Sequence, residues 1–500
     1  MSKPIWPKIP SGFVRAVLAG HSALGLAFAA LIYLVCFSGS VAVFTEEFKR
    51  WEQPDAPQLA AVEPAAIQRA AEQAIARHKG AEHLFLYPPS GDLPRFTMYV
   101  DTPGQGHDPE YVFDGEGNIL SAARHEWTEF MTTMHIYLHL PRSWGMFVVG
   151  LTGVALLSSL ISGVLAHPRV FKDAFHLRWG GSKRLQEADL HNRIGVWALP
   201  FHIAVSLSGA LLGLTVVIVG VLALAVFKGD TEKAYALFTP PHPVDDPRPA
   251  ALPDIPAAIQ VIREKAPGYT PVLVILEHPG EEGGAILINA ARPGTLSRGD
   301  TYTFDRHGKL IYSKRFEDMN LGEQIIQALA PIHFGWFGGA LLKIVYCVLG
   351  LGLTAVTSSG VAIWLARRRA KGRPAPRWER VWIATVWSQP FGFAASAAVA
   401  VALPAAPPLA VWAAATAASV ALATVWTPRQ LSRRLRLASA GALALTAVLH
   451  GVLYGGRMND PMGWIADAVL LLVAAGLAWT VLGVKAREAV VAEAQPAAAE

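Results

Sequence analysis

Histidines set in apolar sequence are the residues of this chain best placed to do chemistry. His21 opens a long apolar run and is followed by Gly25 and by the pair Ser38-Gly39. His191 is followed in the same way by Gly195 and by Ser208-Gly209, each position offset by 170 residues from its counterpart. His135 lies 28 residues before Gly163 of a Ser162-Gly163 pair, and His333 lies 27 before Gly360 of Ser359-Gly360. Ionisable residues are costly and rare in membrane helices, so their retention in a repeated pattern points to function. Imidazole nitrogen is a standard axial ligand of haem iron. A flat macrocycle held between two helices takes one ligand from each, and needs small residues where the backbones approach. The histidines fall at two levels. His21 and His191 flank one ligand near the inner face, and His135 and His333 flank a second near the outer face. Two haems of b type are the expected cofactors.

Other side chains take secondary roles. His139 stands four residues after His135, which on one helix turns both the same way. It is the alternative outer ligand, and with His135 favoured it is left to contact a propionate or substrate iron. His202, eleven residues past His191, is the alternative inner ligand. Arg142, Arg193 and Lys343 interrupt apolar sequence, and propionates would explain them, since Arg and Lys pair well with carboxylates. Lys343 has a second reading, as a side chain snorkelling to the interface. A lone membrane histidine is more often an interhelical hydrogen bonder, and His450 is read so. His78, His83, His107, His242, His278 and His307 are read as solvated. Trp144, Trp336, Trp387, Trp426 and Trp464 are read as an interfacial belt. No residue is assigned a catalytic role. The sequence holds no His-Glu-x-x-His, Walker A or Gly-x-Gly-x-x-Gly motif, so no zinc-peptidase, ATP or NAD(P)H site is expected and a reductant must come from elsewhere. Cys36 and Cys347, both in apolar runs, cannot hold an iron–sulfur cluster and are read as small core residues.

The elements that position these residues are membrane helices. Only 16% of the 500 residues are charged, 52% are hydrophobic and the mean hydropathy is +0.34, against about 25% charged for soluble domains. Apolar runs of roughly 20 residues suit a bilayer. Eight spans are expected, with cores at 20–44, 144–166, 197–227, 334–365, 382–403, 409–426, 437–456 and 463–483. The first is read as a retained anchor, too long for a signal peptide. The net charge of +5 is read as topology, not as nucleic-acid binding. Basic residues gather in alternate segments: Lys3, Lys8 and Arg15; Arg169, Lys172, Arg178, Lys183 and Arg184; 367–380; Arg429 to Arg436; Lys485 and Arg487. The positive-inside rule then puts both termini in the cytoplasm.

Two long polar stretches fall outside. Each opens with a helical pattern, Ala65–His78 and Ala257–Lys265, and continues in strand-like runs such as Arg95–Val100 and Ala285–Asn289. Tyr-Val-Phe-Asp-Gly-Glu-Gly at 111–117 parallels Tyr-Thr-Phe-Asp-Arg-His-Gly at 302–308. The expected fold is thus mainly α and polytopic, an internal duplication carrying two small periplasmic α+β domains. Its segments are 1–45 (N-terminus and first span), 46–130 (first outside domain), 131–227 (second and third spans with the basic loop), 228–325 (second outside domain), 326–370 (fourth span), 371–485 (four-helix extension) and 486–500 (disordered tail). Parallel copies are related by an axis along the membrane normal, where equivalent residues meet.

The His-x-x-x-Gly…Ser-Gly spans, the run Ile332-His333-Phe334-Gly335-Trp336-Phe337-Gly338-Gly339 and the Tyr-x-Phe-Asp-x-x-Gly strands together resemble the PepSY-associated transmembrane family of bacterial inner-membrane proteins. The resemblance covers about residues 10–370, and its ferric-siderophore reductases of the FoxB type are the functional model. It implies PepSY-like domains in the periplasm, a two-haem electron path, and His21, His135, His191 and His333 as ligands. The implied partners are lipid, a ferric siderophore or other ferric chelate, and an unidentified electron donor. Reduction would weaken a hard-oxygen chelate and release the iron. Two rivals stand beside this oxidoreductase reading. A siderophore or iron permease would show broken helices, whereas the spans read as mostly unbroken. A PepSY-based sensor would not need histidines at two levels.

Overall fold

The structure is a computed structural model that describes residues 10–104, 109–166, 183–241, 243–292, 295–297 and 299–493. Lys3, Lys8, Arg169, Lys172, Arg178, His107, His242 and residues 494–500 lie outside the described residues, as do the side chains of Lys183, Arg184, Lys485 and Arg487.

The helices, in order, begin with α1 (Ser11–Ala27), α2 (Ala29–Ala42), α3 (Thr45–Glu52) and α4 (Pro64–Arg77). Strands β1 (His83–Tyr87), β2 (Phe96–Asp101), β3 (Glu110–Phe113) and β4 (Ile119–Ala122) follow. Then come α5 (Glu126–Tyr137), α6 (Arg142–Leu165), α7 (Lys183–Trp197), α8 (Leu199–Gly213), α9 (Thr215–Val226), α10 (Thr231–Tyr235) and α11 (Ile255–Lys265). A second strand set, β5 (Thr270–Glu277), β6 (Ala285–Ala291), β7 (Asp300–Asp305) and β8 (Leu310–Lys314), precedes α12 (Leu321–Phe334). The chain closes with α13 (Gly339–Ala370), α14 (Pro376–Ala402), α15 (Pro408–Leu422), α16 (Pro428–Tyr454) and α17 (Pro461–Glu493). Two units result: a helical unit of 1–48, 126–213 and 344–500, and a sheet unit of 49–125 and 214–343.

Four helical stretches in the structure are long and apolar enough to cross a bilayer: Arg142–Leu165, Gly339–Ala370, Pro428–Arg457 and Pro461–Gly483. Two bent pairs raise the number to six, α1 with α2 at 67° and Gln186–Trp197 with α8 at 70°. Four of these six candidate spans are thus unbroken, as expected, and two are bent. The first break falls at Phe28 (φ −102, ψ 2) and the second at Ala198, again 170 residues apart. No proline or glycine stands at Phe28, but Pro200, two residues past Ala198, has no amide to bond the Val196 carbonyl and so breaks the second helix there. The third expected span, 197–227, also changes: α8 ends at Gly213, and Thr215–Val226 is a separate twelve-residue helix of the sheet unit. In the extension, Pro408–Leu422 is only 15 residues long, and Ser388, Gln389 and Pro390 interrupt the apolar sequence of α14.

Within the helical unit the four C-terminal helices are not a loose appendage. Tyr33 of α2 donates its hydroxyl to the Val386 carbonyl at 3.0 Å. Trp127 of α5 donates Nε1 to the Phe393 carbonyl at 3.1 Å and to Ser396 Oγ at 3.0 Å. His450 is fully buried, its Nδ1 2.8 Å from Asp467 Oδ2 of the next helix, the interhelical bond expected of it. Trp387 and Trp426 pack on a cluster of Ala384, Ala423, Leu431 and Leu435, each beneath an arginine, Arg436 and Arg434. Trp144, Trp336 and Trp464 are exposed, as a lipid-facing ring would be.

The sheet unit differs from two separate small domains. Its eight strands form one sheet in the order β4-β3-β2-β1-β5-β6-β7-β8, two antiparallel meanders joined edge to edge by β1 and β5. Alternation explains which face is covered: Leu84 and Leu86 of β1 point inward, with Phe96, Met98 and Val100 of β2 beside them. Helices α4 and α11 cover that face with Ala70, Ala71 and Ala74 and with Ile255, Ile259 and Ile262, forming one continuous core. Fusing the meanders removes two strand edges that would otherwise stand open. A buried pair at the end of β3 holds the unit to its exit: His125 Nε2 is 3.2 Å from Glu110 Oε2. Burial opposes charge on both, yet the hydrogen bond between them holds Glu110 below the usual carboxylate range and His125 above the ordinary imidazole value.

The Tyr-x-Phe-Asp-x-x-Gly runs build the same turn twice. Asp114 Oδ1 accepts from the amides of Glu116 and Asn118 at 2.9 and 2.8 Å. Asp305 Oδ1 accepts from His307 and Lys309, both at 3.0 Å. The glycines have φ +86 at Gly117 and +75 at Gly308. At Gly117 a Cβ would also run into the Ala66 carbonyl of α4. Gly117→Ala should therefore destabilise the chain by roughly 2 kcal/mol, from the left-handed backbone and the clash together. Thermal unfolding measures it, and an unchanged midpoint would contradict this account of the turn.

Candidate functional site

His21 is on α1 and His191 on α7, each one turn or more before its helix breaks. His21 Nδ1 is 2.9 Å from the Ser159 carbonyl and 3.2 Å from Ser162 Oγ. His191 Nδ1 is 2.9 Å from the Val356 carbonyl and 3.1 Å from Ser359 Oγ. A carbonyl can only accept, so Nδ1 of both rings carries a proton, and the neutral ring then keeps its lone pair on Nε2. Among the described residues no hydrogen bond reaches Nε2 of His21 or His191. Fixing the tautomer through Nδ1–H···O=C is the arrangement that makes a histidine a metal ligand.

Both rings line one cavity of about 520 Å³ in the helical unit, within the size range of cofactor sites. Glycine makes the room. Gly163 and Gly360 lie under the imidazoles, where a Cβ would stand 3.3 Å from Cε1 of His21 and of His191 respectively. A Cβ at Gly25 or Gly195 would meet nothing within 4 Å, and both residues line the cavity. Arg193, 4% exposed, also lines it. Its Nη2 is 3.7 Å from Asp189 Oδ2, a loose ion pair, and its Nε and Nη1 have no hydrogen-bond partner among the described residues. Burying guanidinium N–H groups unpaired is costly, so they await an anionic partner. The site thus offers two imidazole ligands, a mainly apolar cavity, and the cations Arg193 and Arg367 with Asp189 beside Arg193. These residues fit a bis-histidine haem with a propionate at Arg193.

The remaining expected residues fall elsewhere. His202 is fully buried on α8, its Nε2 3.4 Å from the Leu349 carbonyl and its Nδ1 unpartnered, and it does not line the cavity. His135 is not at the end of the second span but on the separate helix α5. Its Nδ1 is 2.9 Å from the Val35 carbonyl of α2, and Gly39 lies against its ring, where a Cβ would come within 2.5 Å. His139 does not share a helix face with it. Helix α5 ends at Tyr137, Leu138 and His139 turn left-handed at φ +57 and +53, and His139 Nε2 instead bonds the Phe130 carbonyl at 2.9 Å. Spacing of four residues means a shared face only while the helix lasts. Arg142 starts α6 and is exposed.

His333 belongs to the sheet unit. It ends α12, a helix started by the Asn320–Glu323 capping box and stopped by Gly335 at φ +72, so it too precedes its span instead of lying on it. Lys343, 2% exposed, does not snorkel: Nζ is 3.4 Å from Asp92 Oδ2 of the same unit. His78, read as solvated, bonds the Tyr111 hydroxyl through Nε2 at 2.8 Å. Residues that sequence reasoning missed are Ser159 and Val356, whose carbonyls orient the two rings, and Asp189, which stands four before Arg193. The Ser-Gly pairs were visible as a repeat, but carbonyl acceptors leave no mark in a sequence.

An uncharacterized protein of Pseudomonas aeruginosa is 30% identical over 257 residues, a match that covers 48% of this chain and 64% of that protein. The model of the PepSY-associated TM region matches residues 18–367, taking in both cavity histidines, the whole sheet unit and helix α13, and this chain belongs to that family.

Proposed function

We propose that the chain is a di-haem b electron-transfer protein of the bacterial inner membrane that reduces a ferric chelate, in the manner of the FoxB-type ferric-siderophore reductases. The observation that carries the reading is the glycine-lined cavity into which His21 and His191 each bring an unbonded Nε2. In this reading the chain is an internal duplication of eight spans. The repeated offset of 170 residues for His21, Gly25 and the break at Phe28 supports it. The basic segments support a reading with both termini in the cytoplasm and the two strand-bearing stretches in the periplasm.

The bound group would supply one-electron chemistry. The chain's own residues do the rest. Ser159 and Val356 hold the imidazoles in one tautomer. Arg193 offsets the charge of a carboxylate carried into the low-dielectric site. The glycines leave room beside the rings. A donor, quinol or cytoplasmic, supplies electrons, and reduction of the chelated iron weakens its hard-oxygen ligands.

The bends at Phe28 and Ala198 favour a second reading, a permease, because broken helices are a transporter trait. One measurement separates the two. The purified chain, expressed with ample haem, should show a sharp low-spin b-type α-band on dithionite addition, and the band should bleach on adding a ferric siderophore. A colourless chain removes the haem reading. A coloured chain whose band persists with the chelate leaves haem in place and removes the reductase.

A further inference from the structure

The seam that joins the two meanders carries a second cluster of metal-ligating side chains, far from membrane sequence. His83 of β1 is paired with Asp101 of β2 on one side and with Glu277 of β5 on the other. Directly opposed residues in a sheet share a face, so the imidazole stands between two carboxylates. Its Nδ1 is 3.0 Å from Asp101 Oδ2. Glu82 brings a third carboxylate: one ligand atom from each of Glu82, His83 and Asp101 lies within 4.8 Å of the others. Just past β5 the chain turns left-handed at His278, φ +43, its amide bonded to the Glu82 carbonyl at 2.8 Å. That turn brings the His278 ring to 5.9 Å from the His83 ring, with Glu281 Oε2 3.8 Å from His278 Nδ1.

One imidazole and two carboxylates thus meet where β1 begins and β2 ends, with the His278 ring and its neighbour Glu281 beside them. An ordinary acidic surface has no reason to draw in two histidines from opposite halves of the sheet. The half-exposed rings are open to solvent, and the surplus of negative charge attracts a cation.

We propose that Glu82, His83 and Asp101, with His278 as a further donor, bind a divalent first-row transition cation on the sheet unit. Mixed imidazole and carboxylate donors without thiolate suit zinc and its neighbours, whereas calcium and magnesium sites are built from oxygen alone. The site is independent of the haem reading and does not depend on its outcome.

The test uses the full chain, freed of any histidine tag, stripped of metal and dialysed in detergent against micromolar Zn²⁺, with bound zinc counted by elemental analysis. The chain should hold one zinc that His83→Ala with Asp101→Asn loses, and that millimolar Ca²⁺ does not displace. His278→Ala should weaken binding about tenfold, the lower end of what losing a supporting group costs a metal site. Should the double variant fail to fold, Glu82→Gln, which leaves the strand pairing untouched, should still weaken zinc binding by a similar factor. Zinc bound equally by wild type and by these variants, or displaced by calcium, overturns the assignment.

Discussion

A purified His21→Ala chain should carry one b-type haem fewer than the wild type, and His191→Ala should lose the same one. Each ring presents a single Nε2 to the cavity, because its Nδ1 is committed to the Ser159 or Val356 carbonyl. Removing either leaves at most one protein ligand on the iron. A haem that stays bound through one imidazole changes its spin state, and the sharp α-band falls even where the pigment does not. The two variants together should lose no more than either alone, since they act on one site. His202→Ala provides the contrast: that ring lies outside the cavity, and its loss should leave the haem count unchanged. Pyridine haemochrome assay and iron analysis read all of these per chain. Full haem with unchanged spectra in both His21→Ala and His191→Ala would refute the ligand pair, whatever becomes of the zinc assignment.

Arg95→Met should cost roughly 3 kcal/mol or more of stability, the largest loss expected from one substitution in the sheet unit. Arg95 is 3% exposed. Its guanidinium donates to the carbonyls of Lys49 and Arg50 at 3.1 Å and of Gln53 at 2.8 Å, stopping α3 at its C-terminal end and tying it to β2. Hydrogen bonds involving a charged group contribute about 1.5–3 kcal/mol each, not additively, and the last carbonyls of a helix have no partner of their own. Methionine keeps much of the volume and none of the donors, so the loss reports the bonds more than a void. Thermal unfolding with and without the substitution measures the difference. A shift no larger than that of a typical surface change would show that the arginine merely fills space.

Much of this could be seen in the residues alone. The offset of 170 residues needed no coordinates, and neither did the Asp-x-x-Gly turns, because a glycine forced to positive φ and an aspartate that caps its own turn are local devices. Helices α4 and α11 and the strands after them could be placed to within a few residues, since their apolar periods are short-range signals. The breaks at Phe28 and Ala198 could not. Phe28 carries no proline or glycine, so its bend is set by what packs around it, and at Ala198 the breaker, Pro200, sits inside an apolar run that reads as one span. The same holds for His139. Its spacing from His135 looked like one helical turn, and only the end of α5 at Tyr137 turned the ring elsewhere.

By itself the sequence determined that this is a membrane protein with two matched sets of histidine and glycine and two matched helix-and-strand segments. Those properties reside in composition and period, which any window of residues exposes. Only the tertiary structure decided that His21 and His191 share a cavity, that Ser159 and Val356 orient them, and that the two strand sets fuse into one sheet. Each of these joins atoms more than a hundred residues apart, or turns on a backbone carbonyl that every residue possesses. Side-chain type cannot encode which carbonyl a ring will find.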